Sequence, residues 1–136
     1  MIPIMDLPPN EKSFDIEVKG ETSGQIWKGK FSTVCVPTCR QKADAFVLQT
    51  KLNQDLATLD LFIKAYHNMI AQLTVRLTSA PQWWISADNG QDLKDFNVII
   101  VVYNECLKAE NEWLTRVWGE PAKEEVKKIE TSDEKK

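Results

Sequence analysis

"SFDIEVKGETSGQIWKGKFSTVCVPTCRQ", Ser13–Gln41, decides the fold class, because the hydrophobic period changes within it. Phe14, Ile16 and Val18 alternate with Asp15, Glu17 and Lys19, the period of two of a half-buried strand. Gly20–Gly24 supplies turn residues, and Trp27, Gly29, Phe31, Thr33 and Cys35 then share one face of a second β-rich run. The pair reads as an antiparallel hairpin over residues 13–36. Gly29, between two aromatics, marks a bulge or a close backbone approach. Pro37 ends the strand. Thr38 and Gln41 have the spacing of a capping box, so a helix opens there.

Three helices are predicted beyond it. The first covers about 38–53 and is expected to bury Ala43, Phe46, Val47 and Thr50. The second covers about 56–79, where Leu59, Phe62, Ile63, Tyr66, Met69, Ile70, Leu73 and Leu77 recur every three or four residues. Pro81 ends it, and Asn89-Gly90 is a strong turn signal. Asp92 is the expected cap of a third helix over 92–118, with Gly119 at its C-terminal stop. The apolar face of that helix takes in Val98, Ile99, Val102, Tyr103, Cys106, Leu107, Trp113, Leu114 and Val117. It is wide enough for two neighbours, or for one neighbour and a partner chain. The β-branched run at its start also fits a strand. Residues 1–12, with Pro3, Pro8 and Pro9, read as a flexible arm, and residues 120–136 as a disordered charged tail. The expected fold is therefore α+β: a single domain over 13–119, with an N-terminal antiparallel β-hairpin packed on a three-helix bundle, and flexible termini.

Composition narrows the function. A chain of 136 residues, 43% hydrophobic, can bury a core without disulfide or metal support. The net charge of −3, with no basic run carrying interleaved aromatics, argues against nucleic acid as a partner. The longest apolar run, "VIIVVY" from Val98, is too short to cross a bilayer, so no membrane is expected. The proline-broken N-terminus lacks a basic region and does not read as a signal peptide. Three cysteines, an odd number, fit reduced thiols in a cytosol.

Reactive constellations are sparse. His67 is the lone histidine and falls on the polar flank of the second helix. Cys35 and Cys39 are spaced CxxxC, not the redox CxxC, and Cys106 with one histidine makes a poor zinc set. No phosphate-binding glycine loop is present. No catalytic residue, cofactor or metal is expected. Glu110 falls inside the apolar face of the last helix and calls for a basic partner, Arg40 or Arg76, or for a place at the edge of that face; it is read as a structural buried acid.

Tryptophan remains. Trp27, Trp83, Trp84, Trp113 and Trp118 are many for this length. Adjacent side chains diverge by about 100° on a helix and point to opposite faces on a strand. One ring of the Trp83-Trp84 pair should therefore pack inward, leaving the other for the hairpin or for a second protein. Trp83, Trp84, Trp113 and Trp118 are the candidate partner-binding residues.

The order "WKGKFSTVCVPT", "LTVRLTSAPQWW", "LKDFNVIIVVYNECLKAENEW" resembles the tail assembly chaperones of tailed bacteriophages, encoded just before the tape-measure protein. Gly29, Phe31, Ala80-Pro81, Trp83-Trp84, Leu93, Asp95 and Glu112-Trp113 carry the resemblance, over roughly residues 25–118. It implies a non-enzymatic protein of the host cell cytoplasm that binds the tape-measure protein, or other tail proteins, during assembly. A homo-oligomer around the client is compatible with it. The competing expectations are a structural virion component (neck, connector or tail accessory protein) and a small host-directed adaptor.

Overall fold

The computed structural model describes residues 7–54 and 61–119. Among these, the elements run β1 (Glu11–Lys19), β2 (Ile26–Val34), α1 (Cys39–Asn53), α2 (Leu61–Arg76), β3 (Leu77–Ser79), α3 (Gln82–Ser86) and α4 (Phe96–Trp118). The fold is α+β, with an antiparallel sheet of order β1-β2-β3. The expectations for the N-terminal arm before Leu7, for the start of the second helix with its Leu59, and for the 120–136 tail fall outside the described residues.

The hairpin follows its alternation. Phe14 pairs with Phe31, Ile16 with Gly29 and Val18 with Trp27 on the inward face. On the outward face Asp15 pairs with Lys30 and Glu17 with Lys28, opposite charges worth about 0.2–1 kcal/mol per pair. Gly20 and Gln25 close the turn through a 2.8 Å backbone bond, with Gly24 at a φ of 74° that favours glycine. The strand begins before Ser13. Glu11 and Lys12, which the sequence groups with the arm, pair with Val34 and Thr33. Asn10 exchanges two hydrogen bonds with the Val36 backbone, so this part of the arm is tied to the sheet.

A short strand replaces the predicted end of the second helix, and a short helix follows it. The helical pattern holds to Arg76, but Leu77–Ser79 leaves it to pair with β2, Ser79 opposite Ser32 and Leu77 opposite Thr33. The backbone groups on that side of β2 need partners, and Pro81 disfavours helical geometry at Ala80 just before it. The five-residue α3 then presents Trp83 and Trp84 to the hairpin. Asp88, Asn89 and Gly90 all have positive φ, giving the sharp reversal that Asn89-Gly90 promised. The last helix starts at Phe96 rather than Asp92, and its β-branched run is helical, not a strand. Gly119 caps it at a φ of 76°.

The core is Ile16, Phe31, Ile70, Leu73, Trp84, Val98, Ile99, Val102 and Cys106. α4 packs on both hairpin strands and on α2, two neighbours that cover most of its wide face and leave Leu114 exposed. α1 packs chiefly on α2. Here one expectation reverses. Of the residues on α1, Ala45 is buried and Leu48 and Leu52 are half-buried, while Ala43, Phe46, Val47 and Thr50 face solvent.

Candidate functional site

The adjacent tryptophans are resolved by a junction between α3 and the hairpin. Trp84 is 1% exposed, its ring edge-on to Phe31 at 5.4 Å. Trp83 lies roughly perpendicular to it, 6.2 Å away, and packs on Trp27 at 4.9 Å and Phe31 at 5.8 Å. The two rings thus straddle Phe31 from one short helix. Gly29 makes room for Pro81 and Trp83: a Cβ there would sit 2.7 Å from Pro81 Cγ and 3.2 Å from Trp83 Nε1. Trp83 Nε1 donates to the Lys28 carbonyl at 2.9 Å. Gly90 does the same on the other side, its missing Cβ lying 2.6 Å from the Trp84 ring.

A second knot holds the hairpin turn to the start of α4. Asp95 is fully buried and stands at the N-cap of α4, yet its carboxylate does not cap the helix. It accepts instead from the Thr22 and Ser23 backbone N–H groups at 2.8 Å each, from Ser23 Oγ at 2.6 Å and from Trp27 Nε1 at 2.7 Å. The Ser23 hydroxyl and backbone N–H, helped by Trp27 and Thr22, hold this carboxyl far below the usual aspartate range, against the opposing effect of burial. Gly20 is needed beneath it, since a Cβ there would overlap the carboxylate. Asn97 extends the knot by donating to the Lys19 carbonyl and accepting from the Glu21 N–H.

The remaining expected residues separate. Trp113 is half-buried and donates from Nε1 to the Pro8 carbonyl at 3.1 Å. Trp118, on the last turn of α4, is 56% exposed. Glu110 is half-buried at the edge of its face, its Oε1 3.5 Å from Arg76 Nη2. Arg76 is therefore its partner rather than Arg40. Arg76 is 6% exposed and also donates from Nε to Gln72. His67 joins α2 to α1 through a 2.5 Å contact between Nδ1 and Asn53 Oδ1.

Cys35 and Cys106 are buried, and that burial pushes both thiols up, which keeps them protonated and weakly nucleophilic. Cys39 is exposed at the start of α1. Among the described residues no group of three or more His, Cys, Asp or Glu side chains is placed to hold a metal ion, and no helix is long and apolar enough to cross a membrane.

The chain matches no protein-family model, curated protein or solved structure in comparison.

Of the four tryptophans, Trp84 has no surface to offer a partner, and Trp83 and Trp113 spend their rings or indole N–H groups within the chain. Only Trp118 stands out to solvent. The larger apolar exposure includes Phe46, Val47 and Phe62, which the sequence assigns to buried faces, and Leu61, which it does not. On α1, Phe46 is 71% exposed and Val47 54%. At the start of α2, Leu61 and Phe62 are exposed, though the Phe62 ring leans on Phe96 at 4.9 Å. A signal for this existed. α1 carries apolar side chains on two opposite sides, Ala45, Leu48 and Leu52 on one and Ala43, Phe46 and Val47 on the other. A helix gripped from one side only needs a single stripe.

Proposed function

We propose that this chain is a non-enzymatic binding protein of tailed-phage tail assembly, a chaperone that holds the tape-measure protein in the host cytoplasm while the tail is built. The outward face of α1 carries the reading. A closed core beside solvent-facing Phe46 and Val47 is what a helix-binding protein needs: a rigid body with apolar area left over. Covering these side chains contributes about 1.5–3 kcal/mol each when burial is complete. Trp118 adds a large rigid contact of the kind enriched where proteins meet. The resemblance over residues 25–118 supplies the client, and the residues that carry it include those of the α3–hairpin junction: Gly29, Phe31, Pro81, Trp83 and Trp84.

Co-expression with the long helical protein encoded downstream is the test. Under this reading the client stays soluble and co-purifies with the chain. If the client aggregates regardless, and the chain is found at fixed copy number in washed particles, the protein is a virion component instead.

A further inference from the structure

α1 is built to be held from both sides, and only one side is held within the described residues. At about 100° per residue, Ala45, Leu48 and Leu52 point one way, toward α2, and Ala43, Phe46, Val47 and Thr50 point nearly opposite. Thr50 belongs with the apolar set, because its hydroxyl donates back to the Phe46 carbonyl at 2.9 Å and leaves the methyl outward. The stripe occupies successive turns at the spacing that packs against another helix.

Charge selects the occupant. Arg40 and Lys51 lie along one border of the stripe, with Asp44, the lone acid on the helix, between them, and Lys42 lies along the other, all exposed. A chain that is acidic as a whole thus borders this one stripe with cations. A second copy is a poor fit. Both copies would carry the same three cations against one acid along the stripe, so self-pairing would bring two net positive borders together.

We propose that the Ala43–Phe46–Val47–Thr50 face of α1 docks one amphipathic helix of a client protein, a helix with an apolar seam bordered by Asp and Glu. Phe46 and Val47 insert into the seam, and Arg40, Lys42 and Lys51 pair with its acidic borders. This rests on the client-binding reading above and names the face and the kind of helix that reading requires.

The test uses the full chain and three labelled synthetic helices: one with a leucine seam bordered by glutamates, the same seam bordered by lysines, and a scrambled sequence. Anisotropy should show the glutamate-bordered helix binding at least about tenfold tighter than the lysine-bordered one, a preference that added salt shrinks. The Phe46→Ser/Val47→Ser variant should lose both helices with an unchanged melting temperature. The Arg40→Glu/Lys42→Glu/Lys51→Glu variant should invert the preference, and it keeps the test decisive if the serines disturb the helix.

Binding no better than the scrambled sequence overturns the proposal, as does a preference that survives charge reversal. So does a dimer of the native chain that Phe46→Ser/Val47→Ser turns into monomer, since a second copy then owns the face. Co-expression separates the two readings. A client kept soluble equally well by the serine variant sinks this face and leaves the chaperone function standing. Charge-selective helix binding with a client that still aggregates does the reverse.

Discussion

Gly29→Ala is the sharpest probe of the junction that seats the two tryptophans. The position lies in the middle of β2 without a positive φ, so alanine meets no backbone strain there. On propensity alone the change should help, since glycine inside a strand costs about 0.5–1 kcal/mol relative to alanine. Space decides otherwise. The new methyl would lie 2.7 Å from Pro81 Cγ and 2.9 Å from Pro81 Cβ, well inside van der Waals contact. A proline ring cannot swing aside as a lysine would. Pro81 is also the N-cap of α3, so yielding there displaces Trp83 and Trp84 together. Overpacking of this kind costs about 1–3 kcal/mol, and a rigid neighbour argues for the upper end. Set against the propensity gain, the net loss is about 2 kcal/mol, or a melting point lower by about 5–10 °C. Urea unfolding followed by tryptophan fluorescence reads it directly. A double-mutant cycle with Pro81→Gly adds a second check: removing both Pro81 Cγ and Cβ should relieve the clash, making the double variant less damaged than the sum of the singles. A Gly29→Ala protein as stable as the native chain would refute the close-approach account of this glycine.

Other expectations follow from the same contacts. Trp84→Ala should cost about 3–5 kcal/mol in denaturant unfolding, whereas Trp118→Ser should leave the midpoint unchanged; equal effects would contradict the burial difference between them. Thr38→Ala removes the bond from the Gln41 N–H to the Thr38 hydroxyl while keeping the one from the Thr38 backbone N–H, and should cost about 1 kcal/mol, with faster amide exchange confined to the first turn of α1. Asp95 has a depressed folded pKa, so its stabilisation is fully present above the ordinary aspartate value of 3.8 and is lost as pH falls from there through the folded value. Asp95→Asn should accordingly be less stable at neutral pH and show a shallower acid loss; parallel pH profiles would sink the assignment.

What the sequence made legible was local. The alternation of Phe14, Ile16 and Val18 specifies the strand and its inward face without reference to anything distant, and Thr38 with Gln41 announces a helix start within four residues. The helix face of Leu73 and Ile70 was likewise readable, because one stripe had one possible destination. Distant partners hid the rest. Leu77–Ser79 looks like one more helical turn until β2, more than forty residues earlier, offers its edge. The cap of the last helix is expected at Asp92, and nothing adjacent to Asp95 betrays that a serine and a tryptophan some seventy residues upstream claim its oxygens. α1 misled for a different reason: its two apolar sides are both plausible cores, and periodicity cannot say which one the fold uses. The fold uses the Ala45 side, and Phe46, on the other, is the most exposed phenylalanine of the described chain.

The meeting of the two ends of the described chain has a consequence for its birth. Trp113 bonds to Pro8 and Lys12 pairs with Glu112, so the first strand is closed over by the last helix. A ribosome delivers these segments in order, at about 5–20 residues per second. The hairpin leaves the exit tunnel first, and Phe31 then waits on the order of ten seconds for the helix that covers it. α1 and α2, neighbours in sequence, can pair in the meantime. The nascent protein therefore carries an uncovered apolar sheet until α4 has left the ribosome and closes over it.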